Sequence, residues 1–371
     1  MKDPIRIALI GCGRVAGHHA ASIEQVAGAE LAAVCDLESD RADGYARQFD
    51  VPAFTNYHEM LTAVPNIDVV AVITPSGMHF EHTLDVINGY GHHVIVEKPT
   101  FMRPDQAEAA FDAAASVGAQ VFPVFQNRHN KAVRRVRKAL EAGELGDIRL
   151  TSVRVRWCRP QRYYDMAAWR GTFSHDGGAL TNQSIHHVDL LRHLGGEVAR
   201  VSAVMRTLGA EIEVEDACVA TLDYGSGAIG SLEATTAARP DDFEASISIV
   251  GSKGLAQIGG VAVNELQIFT PDPGECEANS EDFIGIEGFG AVYGYGHRQL
   301  YEDVVAALHH DQAYPVTRDD CLGTLRLLHA FYRSDEAGGW VDVAEHTASE
   351  RLGRTNDAVS DLYRTPAPGK G

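Results

Sequence analysis

Several short stretches of this 371-residue chain hold residue types at spacings that can do chemistry. The first is Gly11-Cys12-Gly13-Arg14-Val15-Ala16, a G-x-G-x-x-A string. Its first glycine permits a tight turn, its second lets a pyrophosphate approach the backbone, and a small third residue lets a helix pack closely on a strand. The helix N-terminus beyond it offers unpaired N–H groups to phosphate. Alone such a string is weak, but here it follows an apolar run, Ile5–Ile10, and opens a helical stretch. Asp36 ends the next apolar run, twenty residues after Ala16 (36 − 16). A carboxylate at that place accepts hydrogen bonds from both ribose hydroxyls and repels a 2′-phosphate, which points to NAD rather than NADP. The bland alternative is an acid capping the next helix, a task for which Ser39 is better suited. Thr74-Pro75-Ser76-Gly77-Met78-His79 and Glu97-Lys98-Pro99 each follow a short apolar run. Both therefore fall at carboxyl ends of strands, where open α/β sheets hold ligands. Thr74, Pro75, His79, Glu97 and Lys98 are candidate cofactor contacts. A lysine there also reaches substrate, and its charge stabilises a developing alkoxide; without the neighbouring motifs it reads as a surface lysine.

The elements that must carry these residues follow from periodicity. Ile5–Ile10, Glu30–Asp36, Val69–Ile73, His93–Val96 and Gln120–Val124 read as strands, and helical stretches separate them. Continuous apolar strands alternating with helices predict a doubly wound parallel sheet, an N-terminal Rossmann domain over residues 1–128. The pattern then changes. From Ile148 to Cys158 residues alternate, with Thr151, Val153, Val155 and Trp157 on one face, and Gly225-Ser226-Gly227 and Gly251-Ser252-Lys253-Gly254 read as hairpins. Residues 129–371 are thus expected to form an α+β domain with a large, open, mostly antiparallel sheet, and one inserted helix near 182–194. Residues 271–296 read as a long loop, and the end of the chain after about 355 as mobile.

A formal charge of −19 argues against general nucleic-acid binding and against anionic lipid surfaces. No apolar run approaches the ~20 residues that span a bilayer. The six cysteines form no CxxC pair, and a reducing cytoplasm fits them best. The His-His pairs lack a Cys or carboxylate set at ligand spacing, so no metal site is read.

GCGRVA at 11–16, the strand ending in Asp36, TPSGMH at 74–79, EKP at 97–99 and GGALTNQSIHHVDLL at 177–191 together resemble the glucose–fructose oxidoreductase and inositol dehydrogenase (Gfo/Idh/MocA) family. The resemblance covers about residues 5–330. It implies a Rossmann domain followed by a domain with a large open sheet, and hydride transfer from a sugar or cyclitol hydroxyl to a nicotinamide. It also implies that Lys98 and His186 are catalytic. The family's usual aspartate in the substrate helix aligns with Asn182, which orients substrate but takes no proton. Proton removal then falls to His186, assisted by Lys98. Positions 182 and 186 lie one helical turn apart, whereas His187 points about 100° away and packs.

Six arginines lie between 149 and 170 in this acidic chain. Arginine binds phosphate bidentately and aromatics stack on sugar or base; a solvated strand face is the alternative. RWCRPQRYYD at 156–165, WRGT at 169–172 and DGGALTNQSIHH at 176–187 resemble a branch of the family that oxidises the 3-hydroxyl of nucleotide-linked N-acetylated sugars, UDP-N-acetylglucosamine or its uronate. A partner aminotransferase then consumes the 3-keto product. Arg128, Arg156, Arg159, Tyr163 and Tyr164 join Asn182 and His186 as candidate substrate contacts. Gln126 lines the cleft near the nicotinamide, and Trp169 and Arg170 close over cofactor or substrate. The stretch Gly288–His297 is either a lid or a connector. Two other readings stand beside this one: a dehydrogenase of a free sugar or inositol, and an NAD-binding regulator without turnover. An open sheet leaves an apolar face in water, so a homodimer or homotetramer packed sheet on sheet is expected.

Overall fold

The structure, a computed structural model, describes residues 2–282 and 294–366. Two sheets organise it. The first has six parallel strands in the order β3-β2-β1-β4-β5-β6. They are β1 (Ile5–Ile10), β2 (Ala29–Cys35), β3 (Ala53–Phe54), β4 (Val69–Val72), β5 (His93–Val96) and β6 (Val121–Pro123). Their core residues, among them Ile7, Leu9, Val70, Val72, Val94 and Ile95, are fully buried because helices cover both faces. Each such side chain contributes roughly 1.5–3 kcal/mol by leaving water. The order reverses between β1 and β4, so the crevice opens at the carboxyl ends of these two strands. Gly11, Thr74 and Lys98 all stand just past strand ends on that edge.

The second sheet has eight strands in the order β13-β12-β11-β7-β10-β9-β8-β14. They are β7 (Ile148–Arg156), β8 (Val198–Arg206), β9 (Ala217–Tyr224), β10 (Ile229–Thr235), β11 (Glu244–Gly251), β12 (Leu255–Gly259), β13 (Glu265–Phe269) and β14 (Val341–Asp342). All pairings are antiparallel except that of β7 with β10. The alternation in β7 is as expected: Thr151, Val153 and Val155 are buried beneath the helix Ile185–Gly195, and Leu150 and Arg154 face outward.

Packing does not follow chain order throughout. The helix Gly296–His310 returns to the first sheet's layer and lays Leu300, Tyr301, Val304 and Val305 into a core shared with Ile23 and Leu9. The final segment is not loose as far as Pro366. Arg364 pairs with Glu81 at 3.0 Å and the Asn56 amide donates to the Pro366 carbonyl at 3.1 Å, so the segment up to Pro366 clasps the Rossmann domain. Ser39 starts its helix without capping it; the Asp36 carboxylate instead accepts from the Glu38 N–H at 2.9 Å. Residues 288–293 of the expected lid or connector lie outside the described residues. No helix among the described residues is long and apolar enough to cross a membrane.

The expected helix at 182–194 is two elements. Ala179–Gln183 forms a π-helical turn, and an α-helix runs over Ile185–Gly195. The cause lies upstream. Gly178 has φ +77°, and a Cβ there would sit 2.5 Å from the Glu215 carboxyl, so the chain can press on that carboxyl only with glycine. Glu215 Oε1 then accepts from the Leu180 N–H at 2.9 Å and the Tyr332 hydroxyl at 2.8 Å, anchoring the wide turn. Burial raises the Glu215 carboxyl from an ordinary 4.5 to about 8, against the lowering by these donors. The unfolded chain releases that proton near 4.5, so the contribution to stability is full below that pH and is lost as pH rises towards 8. Thermal unfolding followed from pH 5 to 8 should therefore show a fall in Tm that Glu215→Gln flattens; an equal fall in both proteins contradicts this anchoring role.

Candidate active site

The nucleotide end of the crevice is set by three backbone facts. Gly11 has φ +102°, and a Cβ would meet the Ile73 carbonyl at 2.5 Å, so β1 and β4 can converge only over glycine. A Cβ on Gly13 meets nothing within 4 Å, which leaves its backbone open to a ligand. Asp36 accepts from the Cys12 N–H at 2.8 Å, which orients its carboxylate beside that turn. This cradle fits the adenosine and pyrophosphate of NAD. Arg14 is exposed and Val15 half-buried at the start of the helix Ala16–Gln25.

The opposite end holds the candidate chemistry. Lys98, half-buried, donates from Nζ to the main-chain carbonyl of Asn182 at 2.9 Å. That bond joins the end of β5 to the π-helical turn and so ties the two domains across the cleft. The surrounding protein lowers the Lys98 pKa, and nearby Arg170 and Arg159 lower it further, while Glu97 and Asp176 oppose them. His186 follows on the first turn of the next helix, packed edge-on against Phe125. Neither of its ring nitrogens has a hydrogen-bond partner among the described residues. Burial first, and the Lys98 cation second, hold its pKa well below the usual imidazole value. It is thus held as a neutral imidazole. His187 stacks edge-on against Trp157 and is fully buried, as its position on the helix implied.

Around Lys98 stands a second group. The Arg170 guanidinium lies over the rings of Tyr163 and Trp169, at 4.2 and 4.6 Å, and donates to the Tyr163 hydroxyl. The Gln183 amide donates to the same hydroxyl at 3.0 Å and to Asn182 Oδ1 at 2.7 Å, and its Oε1 accepts from Arg159 at 3.0 Å. Gln126 is buried just past β6, and its Oε1 lacks a hydrogen-bond partner among the described residues. Neither Gln183 nor Asp176 stands out in the sequence, because their places depend on the π-helical turn and the glycine pair before it.

Several residues expected to contact ligand are engaged within the protein. Arg128 is locked in a bidentate pair with Asp189, at 2.7 and 2.6 Å, and also reaches Asp320 at 3.2 Å, so it joins helices rather than binding ligand. Arg156 points to the open face of the sheet and pairs there with Glu233 and Glu244. Tyr164 is buried with its hydroxyl on Thr236 at 3.0 Å. His79 spends both ring nitrogens on the carbonyls of Pro99 and Thr74, stapling the two loops from behind, while the Thr74 hydroxyl partners His82. Glu97 is likewise committed: Oε2 accepts from the Lys98 N–H, and Oε1 meets His19 at 3.2 Å and His297 at 3.4 Å. His19, Glu97 and His297 are a convergent set of metal-ligand type, which spacing along the chain does not reveal. Hydrogen bonding accounts for it, since His19 Nδ1 meets the Tyr301 hydroxyl at 2.7 Å. Burial raises the Glu97 carboxyl, and the two imidazoles more than reverse this, leaving it well below the usual range.

Comparison with known proteins agrees with this geometry. Residues 5–125 match the oxidoreductase family with an NAD-binding Rossmann fold, and residues 133–257 match the GFO/IDH/MocA C-terminal domain. The WlbA dehydrogenase of Bordetella pertussis, in complex with NADH and UDP-GlcNAcA, is 37% identical. The match covers 92% of this chain and 98% of that one, with TM-score 0.84. The WlbA dehydrogenase of Chromobacterium violaceum, with the same two ligands, is 35% identical over 92% and 96% of the chains, also at 0.84. The D-glucoside 3-dehydrogenase of Escherichia coli is 29% identical over 92% of this chain and 98% of its own. The chain belongs to the GFO/IDH/MocA family of NAD-binding oxidoreductases.

Proposed function

We propose that the chain oxidises the 3-hydroxyl of a nucleotide-linked N-acetylated hexose of the UDP-N-acetylglucosamine type, with the uronate UDP-GlcNAcA preferred. The observation that carries this reading is the cationic wall formed by Lys98, Arg159 and Arg170 beside a neutral His186, in a protein of net charge −19. Arg159 has one acidic partner among the described residues, Asp242 at 2.7 Å. Such a wall suits an anionic sugar and offers little to a neutral cyclitol. Two relatives bound to UDP-GlcNAcA support the substrate class, and a relative named for oxidation at position 3 supports the site of reaction.

We assign the roles by the family resemblance. NAD⁺ supplies the acceptor for the hydride from C3. His186 takes the hydroxyl proton, the Lys98 ammonium stabilises the developing alkoxide, and Asn182 orients the sugar ring. A 3-keto sugar is a carbonyl substrate for an aminotransferase, which is the class of enzyme expected to consume it. A second reading, a dehydrogenase of a free glycoside or inositol, draws on the D-glucoside 3-dehydrogenase and on a scyllo-inositol 2-dehydrogenase of Bacillus subtilis that is 26% identical over 70% of this chain and 75% of its own.

The open face of the second sheet carries Leu150 against Ile229 and Val204 against Val219, all exposed. A second copy packed sheet on sheet is the cover this face suits.

Three outcomes are expected. NADH absorbance on mixing with NAD⁺ should rise with UDP-GlcNAcA, more weakly with UDP-GlcNAc, and not with myo-inositol; turnover of inositol alone defeats the substrate reading. Lys98→Met should lower kcat on the order of 10²–10³-fold with NADH binding intact by fluorescence titration, and retained turnover defeats the assigned role. Light scattering should give a dimer or tetramer that Val219→Lys with Ile229→Lys dissociates; a monomeric wild type contradicts the assembly.

A further inference from the structure

A chain of hydrogen bonds leads from Arg159 to the residue assigned to orient the sugar. The Arg159 guanidinium is anchored on one side: Nη1 donates to Asp242 Oδ1 and to the Cys158 carbonyl, both at 2.7 Å. Asp242 Oδ1 is itself held, since it accepts from the Cys158 N–H at 2.7 Å. The guanidinium also lies over the rings of Trp157 and Tyr163, at 5.4 and 5.6 Å. From that place its Nε donates to Gln183 Oε1 at 3.0 Å.

The polarity of each amide then follows. A side-chain amide has one accepting end and one donating end, and its plane turns them apart. A guanidinium only donates, so the end of Gln183 that meets Arg159 must be its oxygen. The Nε2 end is thereby turned into the π-helical turn, where it donates to Asn182 Oδ1 at 2.7 Å and to the Tyr163 hydroxyl at 3.0 Å. The same reasoning passes on to Asn182, which is 6% exposed. Its oxygen is turned to the Gln183 donor, so its Nδ2 end is turned away from Gln183. The Asn182 side chain favours the ionised form of the Asp176 carboxyl, as N–H donors do and a carbonyl oxygen does not.

We propose that Gln183 is a positioning residue of the reaction: held by Arg159, it fixes the Asn182 amide so that N–H donors, and not the carbonyl oxygen, meet the sugar. The proposal rests on Asn182 orienting a sugar ring, and not on which sugar that is. The group Asn182 takes is then an oxygen of the sugar in its accepting role, and a sugar N–H or O–H finds no acceptor there. Gln183 itself transfers nothing. A glutamate at 183 would keep the Arg159 contact and lose both donors, which is why an amide is required at this place.

The test is a double-mutant cycle on the full chain, with NAD⁺ and whichever sugar of the panel above the wild type oxidises, so a wrong sugar assignment leaves it intact. Gln183→Met removes the donors at nearly constant size and adds no charge. It should lower kcat/KM for the sugar on the order of 10-fold and leave KM for NAD⁺ within about twofold. In an Asn182→Ala background the same replacement should change kcat/KM for the sugar by less than about twofold, because the group it acts through is gone. Wild-type kcat/KM in Q183M overturns the proposal. An equal loss in both backgrounds overturns it as well, and assigns Gln183 to Tyr163 or to the turn. Should Q183M fail to bind NADH by fluorescence titration, Gln183→Ala decides by the same two comparisons. If neither variant binds NADH, Gln183 holds up the turn itself and the proposal is overturned.

Discussion

The Lys98 amino group, held between the end of β5 and the π-helical turn, is the constraint on which the rest of this structure depends. Removing a charge from water is costly unless partners repay it, and Lys98 additionally sits near two arginines. The fold answers with carboxylates that are themselves held in place. Glu97 is fixed by His19 from the first helix of the Rossmann domain and by His297 from a helix almost two hundred residues later. The return of Gly296–His310 to the first sheet thus supplies more than core packing: it completes the cage behind the lysine. In front, the bond from Lys98 Nζ to the Asn182 carbonyl makes the same charge a link between domains.

The wide π-helical turn is the other half of that arrangement. A regular α-helix from 179 onward would keep Asn182 and His186 on one stripe, but Glu215 and the glycine at 178 draw the first turn out of register. π-turns recur at functional sites because they re-aim side chains without ending a helix. Here the main-chain carbonyl of Asn182 is turned to Lys98, and Gln183 is turned to Tyr163 and Arg159. The buried ring nitrogens of His186 have no hydrogen-bond partner among the described residues.

Much of this was legible in the sequence wherever the signal was local. The strand Ile5–Ile10, the glycine turn, Asp36 and the two strand-end motifs follow from periodicity and from the backbone needs of glycine, and the structure gathers them on one sheet edge. The alternation in β7 likewise revealed a sheet with one covered face. What failed was what depends on distant partners. The arginine-rich stretch read as an anion site or a solvated strand face; Arg154 and Arg156 answer Glu244 and Glu233 on neighbouring strands, and Arg159 and Arg170 stand by Lys98. Arg128 and Tyr164 misled for the same reason, since Asp189 and Thr236 lie far along the chain. The π-turn could not be read because a single inserted residue leaves no period, and the His19–Glu97–His297 cluster could not because no spacing rule joins residues 19, 97 and 297.

The central claim is that Lys98 and His186 serve hydride removal from C3 of a nucleotide-linked N-acetylated sugar. Its most direct test is to follow deuterium from UDP-GlcNAcA labelled at C3 during turnover with NAD⁺, by mass spectrometry of the nicotinamide product. The account predicts NADH one mass unit heavier, together with a sugar product that has lost the label as a ketone at C3. Unlabelled NADH, or a sugar that keeps deuterium at C3 while NAD⁺ is reduced, would contradict it.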